Sequence, residues 1–257
     1  MGLLFISHVK EDKVIYPIIP DIDKMSLRTA LNLIHDLHDE VPAFKVHSVA
    51  EEALTWTIRE FKREGAKGVF VDYKLCDMKD TIAGRAARIK EAGATMLTVH
   101  AEGRPEMIAA AVENGPEIIL AVTKLTSWTD ADIEAFYRRP AQEVFTELAL
   151  WAVEGGAHGI VCPAKHVGHL HKNPKLQHLL KLVPGTRSAG VATHDQKQVD
   201  TPFNAICNGA TYLVGGRQIT QAENPRSALL AMAEEIRRGL EALKADLQDD
   251  IPTETMA

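Results

Sequence analysis

Asp72, Lys74 and Asp77 stand close together at the end of the apolar run Val69-Phe70-Val71. A carboxylate, an ammonium and a second carboxylate crowded at one strand end can keep a proton donor charged. They can also stabilise negative charge that develops on a substrate carbon. Side chains two apart on a strand share a face, so Asp72 and Lys74 should project together and Tyr73 the other way. Asp77 follows where the strand gives way to a turn, and Thr81 is expected to open a helix to about Glu91. Taken alone, the stretch reads equally well as an ordinary ion pair at a loop, because structural ion-pair networks also perturb pKa values. Other polar residues end or interrupt apolar runs in the same way: Asp23, Lys45, His100, Ser127, Arg187 and Arg217. A lysine inside the short run Pro42-Ala43-Phe44-Lys45-Val46 needs a partner if that run is buried.

Eight apolar runs could position these residues. They are Ile18–Ile22, Pro42–Val46, the run from Val69, Thr95–His100, Glu117–Val122, Gly159–Cys162, Leu179–Val183 leading into Pro184-Gly185-Thr186-Arg187, and Ala210–Val214. Helical patterns separate them. Ser26 is a plausible N-cap for a helix to about Asp39, Ala50 to Glu64 is helical, and Pro105 opens a helix to Asn114. Pro140 to Val153, a short stretch after Thr201-Pro202, and Pro225 to about Ala245 complete the set. Eight strands alternating with helices predict an α/β fold, a (β/α)8 TIM barrel. A doubly wound open sheet is disfavoured because no G-x-G-x-x-G follows the first strand. One barrel domain is expected over 1–257, with an N-terminal extension (about 1–13) and a polar C-terminal tail (about 248–257). In a barrel the C-terminal strand ends converge on one active face, and the last two loops often hold phosphate. Here those loops contain Arg187, and Gly215-Gly216-Arg217, whose glycines would let the backbone approach an anion.

Composition narrows the class further. With 46% hydrophobic and 25% charged residues, the 257-residue chain can bury a sizeable core. The formal charge of −6 gives no reason to expect a nucleic-acid partner. No apolar run approaches the ~18 residues of a membrane span, and the start lacks a signal-peptide cleavage site. The three cysteines, Cys76, Cys162 and Cys207, are far apart and fit a reducing compartment, so cytoplasm is the default expectation.

From about Ile18 to Pro225 the chain resembles orotidine 5′-phosphate decarboxylase. The resemblance rests on D-x-K-x-x-D-x-x-x-T (Asp72, Lys74, Asp77, Thr81) and on Val122-Thr123-Lys124-Leu125-Thr126-Ser127. It continues through Pro184-Gly185-Thr186-Arg187, Asp195-Gln196, Thr201-Pro202 and Gly216-Arg217. The first motif is shared with related phosphosugar enzymes; the series as a whole is more specific. The resemblance implies a cofactor-free, metal-free decarboxylation to uridine 5′-phosphate by a homodimer. Lys74 would donate the proton to C6, Asp72 would crowd the departing carboxylate, and Lys45 and Asp77 would keep the charges alternating. Asp77 and Thr81 would reach the partner subunit's substrate. Asp23 would hold the ribose; Asp21 is the alternative, with Ser26 and Ala30 favouring Asp23. Thr126 and Ser127 would contact the pyrimidine, and Arg187, Gln196, Gly216 and Arg217 the phosphate. Departures from the family pattern occur at His47, Met78-Lys79-Asp80, Ser188-Ala189, His194 and Gln198.

Blander readings apply to other residues. His100 is expected to be a hydrogen-bonded structural residue and Cys76 a packing residue without a base to activate it. His166, His169 and His171 match no zinc spacing and read as a solvated loop. Two other functions compete: a Mg-dependent phosphosugar aldolase or decarboxylase, which would carry glutamate in place of Lys45, and a non-catalytic nucleotide binder.

Overall fold

The computed structural model describes residues 9–10, 13–188 and 200–249. Eight parallel strands form its centre: β1 (Ile18–Pro20), β2 (Phe44–Val46), β3 (Val69–Leu75), β4 (Met96–His100), β5 (Ile118–Val122), β6 (Gly159–Val161), β7 (Leu180–Val183) and β8 (Tyr212–Gly215). From β2 to β8 each pairs with its neighbours in sequence, and β8 returns to pair with β1. That return excludes the open doubly wound sheet. The ring closes between β1 and β2 through a parallel bridge, Asp21 to Lys45. Ile22 N–H donates to Lys45 O at 3.1 Å, and on the other side Asp21 N–H donates to Gly215 O at 2.8 Å. The chain is thus a (β/α)8 barrel.

Ten helices lie among the described residues: α1 (Leu27–Leu37), α2 (Leu54–Arg63), α3 (Lys79–Glu91), α4 (Arg104–Asn114), α5 (Asp130–Tyr137), α6 (Ala141–Glu154), α7 (Ala164–Lys172), α8 (Pro202–Cys207), α9 (Arg217–Thr220) and α10 (Pro225–Asp249). Side-chain caps begin several of them, satisfying donors that a helix start leaves open. Ser26 Oγ accepts from Thr29 N–H, and Thr201 does the same for Asn204. Some boundaries differ from expectation. A short 3-10 turn, Ser48–Ala50, precedes α2, which starts later than its apolar pattern suggests. Helix α3 starts at Lys79 rather than Thr81, and α10 runs on through Asp249. Before the barrel, Val9–Lys10 and Lys13–Val14 pair as a small antiparallel hairpin.

Strand alternation divides the core in two. Phe44, Val46, Val69 and Val71 point outward into the layer shared with the helices. Ile19, Phe70, Met96, Leu120, Leu182 and Val214 fill the barrel interior. Full burial of one such side chain, Phe70 for example, contributes about 1.5–3 kcal/mol. The same alternation turns Lys45 inward in register with Phe70, and Asp72 inward one step above it. Alternation then breaks. Val71 pairs with Leu97 but Leu75 pairs with Val99, so β3 carries extra residues in a bulge. Lys74 lies in that bulge with φ +48°, in the left-handed region.

Candidate active site

A cavity of about 620 Å³ opens at the C-terminal strand ends. At its centre four charged side chains alternate in sign. Lys45 Nζ lies 2.9 Å from Asp21 Oδ1 and 3.3 Å from Asp72 Oδ2. Lys74 Nζ reaches the same Asp72 oxygen at 2.7 Å. The other Asp72 oxygen accepts the Thr98 hydroxyl at 2.9 Å, and Thr98 Oγ1 in turn accepts Lys74 N–H at 2.9 Å. Thr98 therefore pins the bulge to β4 while orienting the carboxylate. Asp72 and Lys45 are nearly buried. Burial disfavours charge on both, yet the opposite charges outweigh it. Lys45 and Lys74 hold the Asp72 carboxyl below its ordinary value, and Asp72 and Asp21 hold the Lys45 ammonium above its own.

The two candidate aspartates of β1 separate here. Asp21 joins the charged group, whereas Asp23 is turned to Ser48 and Val49, accepting the hydroxyl at 2.6 Å and the N–H at 3.3 Å. Burial works against the Asp23 carboxylate, but these bonds and Lys45 leave it below its ordinary value. Both residues line the cavity, but the geometry favours Asp21, not Asp23, as the member that acts with Lys45. The preference drawn from Ser26 and Ala30 concerned the ribose contact, and capping of α1 does not determine which carboxylate faces Lys45.

After β7 and β8 stand Arg187, Gly216 and Arg217, which also line the cavity. Arg187 is buried, donates to Thr186 O at 2.7 Å, and its Nε meets no acceptor among the described residues. Burial, and then Arg217, push its pKa below the usual arginine value. A Cβ on Gly216 would sit 3.7 Å from the Arg187 guanidinium, so glycine leaves space in front of that group. Gly215 has a different reason: a Cβ there would meet Ile219 Cδ1 at 2.5 Å. Thr126 and Ser127, in the loop after β5, line the wall between the two charged ends.

The structure thus gathers Asp23, Lys45, Asp72, Lys74, Thr126, Ser127, Arg187, Gly216 and Arg217 around one cavity. Asp77 and Thr81 do not line it. Asp77 is exposed and its carboxylate accepts Met78 N–H at 2.7 Å, while Thr81 sits on α3. Gln196 lies outside the described residues, as do Asp195, Ala189, His194 and Gln198.

With the geometry in place, the comparisons carry weight. The family model of "Orotidine 5'-phosphate decarboxylase / HUMPS family" matches residues 17–232. The chain belongs to this family. An orotidine 5′-phosphate decarboxylase from Rhodopseudomonas palustris is 39% identical over 221 residues, covering 84% of this chain and 92% of the relative. One from Thermobifida fusca is 41% identical over 172 residues, covering 66% and 73%. Among solved structures, the orotidine 5′-phosphate decarboxylase of Lactobacillus acidophilus superposes with a TM-score of 0.71 at 29% identity, covering 86% of this chain and 98% of that one.

Within this decarboxylase / HUMPS family member, several expectations need correction. Cys76 is exposed rather than packed; partial burial, Glu102 and Asp77 push its thiol up, which disfavours the nucleophilic thiolate. His166, His169 and His171 lie on α7 and not in a solvated loop. His166 is buried, stacked on Phe145 at 3.9 Å and within 2.8 Å of Asp130 Oδ1. His100 Nδ1 is buried without a hydrogen bond among the described residues, 3.9 Å from Glu102 Oε2. At the departure His47, the backbone enters the 3-10 turn and the ring meets Tyr73 edge-on. Sequence reasoning missed Thr98 and Lys124. A threonine on the inward parity of the mostly apolar β4, and a lysine two residues after β5, were the available signals.

Proposed function

We propose that this chain removes the C6 carboxylate of orotidine 5′-phosphate as CO₂ and releases uridine 5′-phosphate, the closing step of pyrimidine nucleotide synthesis. The observation that carries the reading is the Lys74 ammonium held 2.7 Å from Asp72 in a cavity that Arg187 and Arg217 also line. A phosphate on the arginine side places the base of a nucleotide against Thr126 and Ser127 and its reacting carbon against Lys74. The C6–carboxylate bond breaks, and its electron pair stays on C6. Lys74 stabilises that pair electrostatically and then transfers a proton to it. Solvent returns a proton to the lysine. Asp72, fixed by Lys45 and Thr98, orients Lys74 and sets a negative charge beside the departing carboxylate. Asp21, through Lys45, serves the ribose side of the group. The sequence of the resemblance gives no metal or organic cofactor a part in these steps.

We also infer a homodimer in which Asp77 and Thr81 complete the partner subunit's site. Their absence from their own cavity supports this, as does the 77% exposure of the neighbouring apolar Met78. A cytoplasmic location belongs to the same reading; the free cysteines favour a reducing compartment, and no helix among the described residues is long and apolar enough to cross a membrane. The Mg-dependent phosphosugar reading is disfavoured by Lys45, which brings an ammonium where those enzymes need a carboxylate.

The test is an absorbance assay with orotidine 5′-phosphate and EDTA. Loss of the orotate chromophore, unaffected by the chelator, is expected. No loss with folded protein overturns the reading and makes Mg²⁺ with a pentulose or hexulose phosphate the next assay.

A further inference from the structure

The loop that bears Thr126 and Ser127 is shaped by a buried cation that belongs to neither charged end of the cavity. Lys124 is the second residue after β5, and its side chain is only 5% exposed. Its Nζ donates to Glu102 Oε1 at 3.1 Å and to Tyr137 Oη at 3.3 Å. It also lies 4.1 Å from the centre of the Trp128 ring and 5.0 Å from that of Tyr137. The Tyr137 hydroxyl donates to the same Glu102 oxygen. Burial alone would raise the Glu102 carboxyl, but its bonds to Tyr137 and Lys124 hold it below its ordinary value.

Three segments meet at this ammonium: the turn after β4 through Glu102, the end of the loop through Trp128, and the last turn of α5 through Tyr137. Thr126 and Ser127 lie between Lys124 and Trp128, so the cation–π contact closes the loop across them. Trp128 N–H also donates to Leu125 O at 3.0 Å. Beyond the loop, Asp130 at the start of α5 is gripped from α7, by Lys165 at 2.6 Å and His166 at 2.8 Å. The loop therefore has a fixed anchor at α5 and a shape set by Lys124. Lys124 itself lines the cavity, but its ammonium is engaged by a carboxylate, a phenol and an indole, so it shapes the site through the loop.

We propose that Lys124, paired with Glu102, is a positioning residue that sets Thr126 and Ser127 against the base of the bound nucleotide; this rests on the decarboxylase reading. A loop that positions the base affects ligands that have one and leaves a ribose phosphate alone. General damage to the barrel weakens both.

The experiment compares calorimetric binding of uridine 5′-phosphate and ribose 5-phosphate by wild type, Lys124→Met, Glu102→Gln and the double variant, alongside turnover. For Lys124→Met, affinity for uridine 5′-phosphate should fall about tenfold and KM should rise to match, with kcat within about twofold. Affinity for ribose 5-phosphate should stay unchanged. The double variant should lose no more than Lys124→Met, because the two residues act as one unit. Equal weakening of both ligands, or no weakening of either, overturns the proposal. If Lys124→Met does not fold, the near-isosteric Glu102→Gln alone must show the same selectivity for the base-bearing ligand, or the proposal falls. A wild type that neither binds uridine 5′-phosphate nor decarboxylates its precursor overturns the functional reading, and this inference with it. A fully active wild type with no selective loss in the variants overturns this inference alone.

Discussion

The two charged ends of the cavity solve opposite problems. At one end Asp21, Lys45, Asp72 and Lys74 alternate in sign, and each carboxylate lies against an ammonium. At the other, Arg187 is buried beside a second arginine, has an Nε–H without an acceptor among the described residues, and has its pKa pushed down by burial and then by Arg217. The first end is electrostatically complete before anything binds, so its geometry is fixed in advance, as stabilisation of a developing charge requires. The second is built to gain from an anion, because charge-assisted bonds to a desolvated guanidinium are among the stronger ones available. Chemistry and binding are thus divided between a satisfied end and an expectant one.

Substitutions at the two ends should therefore fail differently. The largest effect is expected at Lys74. Lys74→Ala should lower kcat by at least roughly a thousandfold, while calorimetric affinity for uridine 5′-phosphate stays close to wild type. Retained turnover would show that the satisfied end is not the reacting end. Next comes Arg217→Ala, for which kcat/KM should drop roughly a hundredfold. Initial rates should trace the loss to KM; a loss confined to kcat would erase the division between the ends. Within the satisfied end, Asp21→Asn should reduce kcat/KM by about ten- to a hundredfold, and Asp23→Asn by less than about fivefold. Reversal of that order would return the ribose role to Asp23.

The smallest effect concerns pH. Asp72 has a depressed pKa, so its stabilisation is present above its ordinary 3.8 and is lost as pH falls through the lower folded value. Lys45 has a raised pKa, so its stabilisation is present below 10.5 and is lost as pH rises through the higher folded value. The satisfied end therefore adds no slope between about pH 5 and 9. His169, pushed down to about 4 by burial and then by His166, does add one: the unfolded chain binds its proton first as pH falls below 6.5. The melting temperature should fall modestly from pH 7 to 4.5, and His169→Gln should flatten that slope. A slope unchanged in the variant would move its origin elsewhere, the charged group included.

Much of this arrangement was legible from residue order. Apolar runs of strand length, separated by helical patterns, specified eight parallel strands, and period-two alternation turned Lys45 and Asp72 inward. Lys74 reaches Asp72 as that alternation suggests, but by another path: the bulge and φ +48° bring it there, held by Thr98. No local pattern announces a bulge whose cause is a hydrogen bond to the next strand. Helix α5 had a readable start, since Thr129 and Asp132 form a capping box, but the aromatic and charged stretch behind it hid the helix. Helix α7 escaped notice because its histidines look polar, whereas His166 is buried by stacking on Phe145 of the preceding helix α6. Lys124 was hidden for the same reason: its partners Glu102 and Tyr137 come from other segments.

The seam of the barrel has a consequence for how the protein is made. Asp21 is tied through its N–H to Gly215 in the last strand and through its carboxylate to Lys45 in the second. The same residue completes the ring and the charged group, so assembling one assembles the other. Its contact with β8 spans most of the chain, and such distant pairings are the slowest to form. A nascent chain leaving the ribosome holds Asp21, Lys45, Asp72 and Lys74 long before β8 emerges, but not the strand to which Asp21 ties β1. A chain truncated before Tyr212 lacks the strand that pairs with β1 and accepts the Asp21 N–H, and so cannot close the ring.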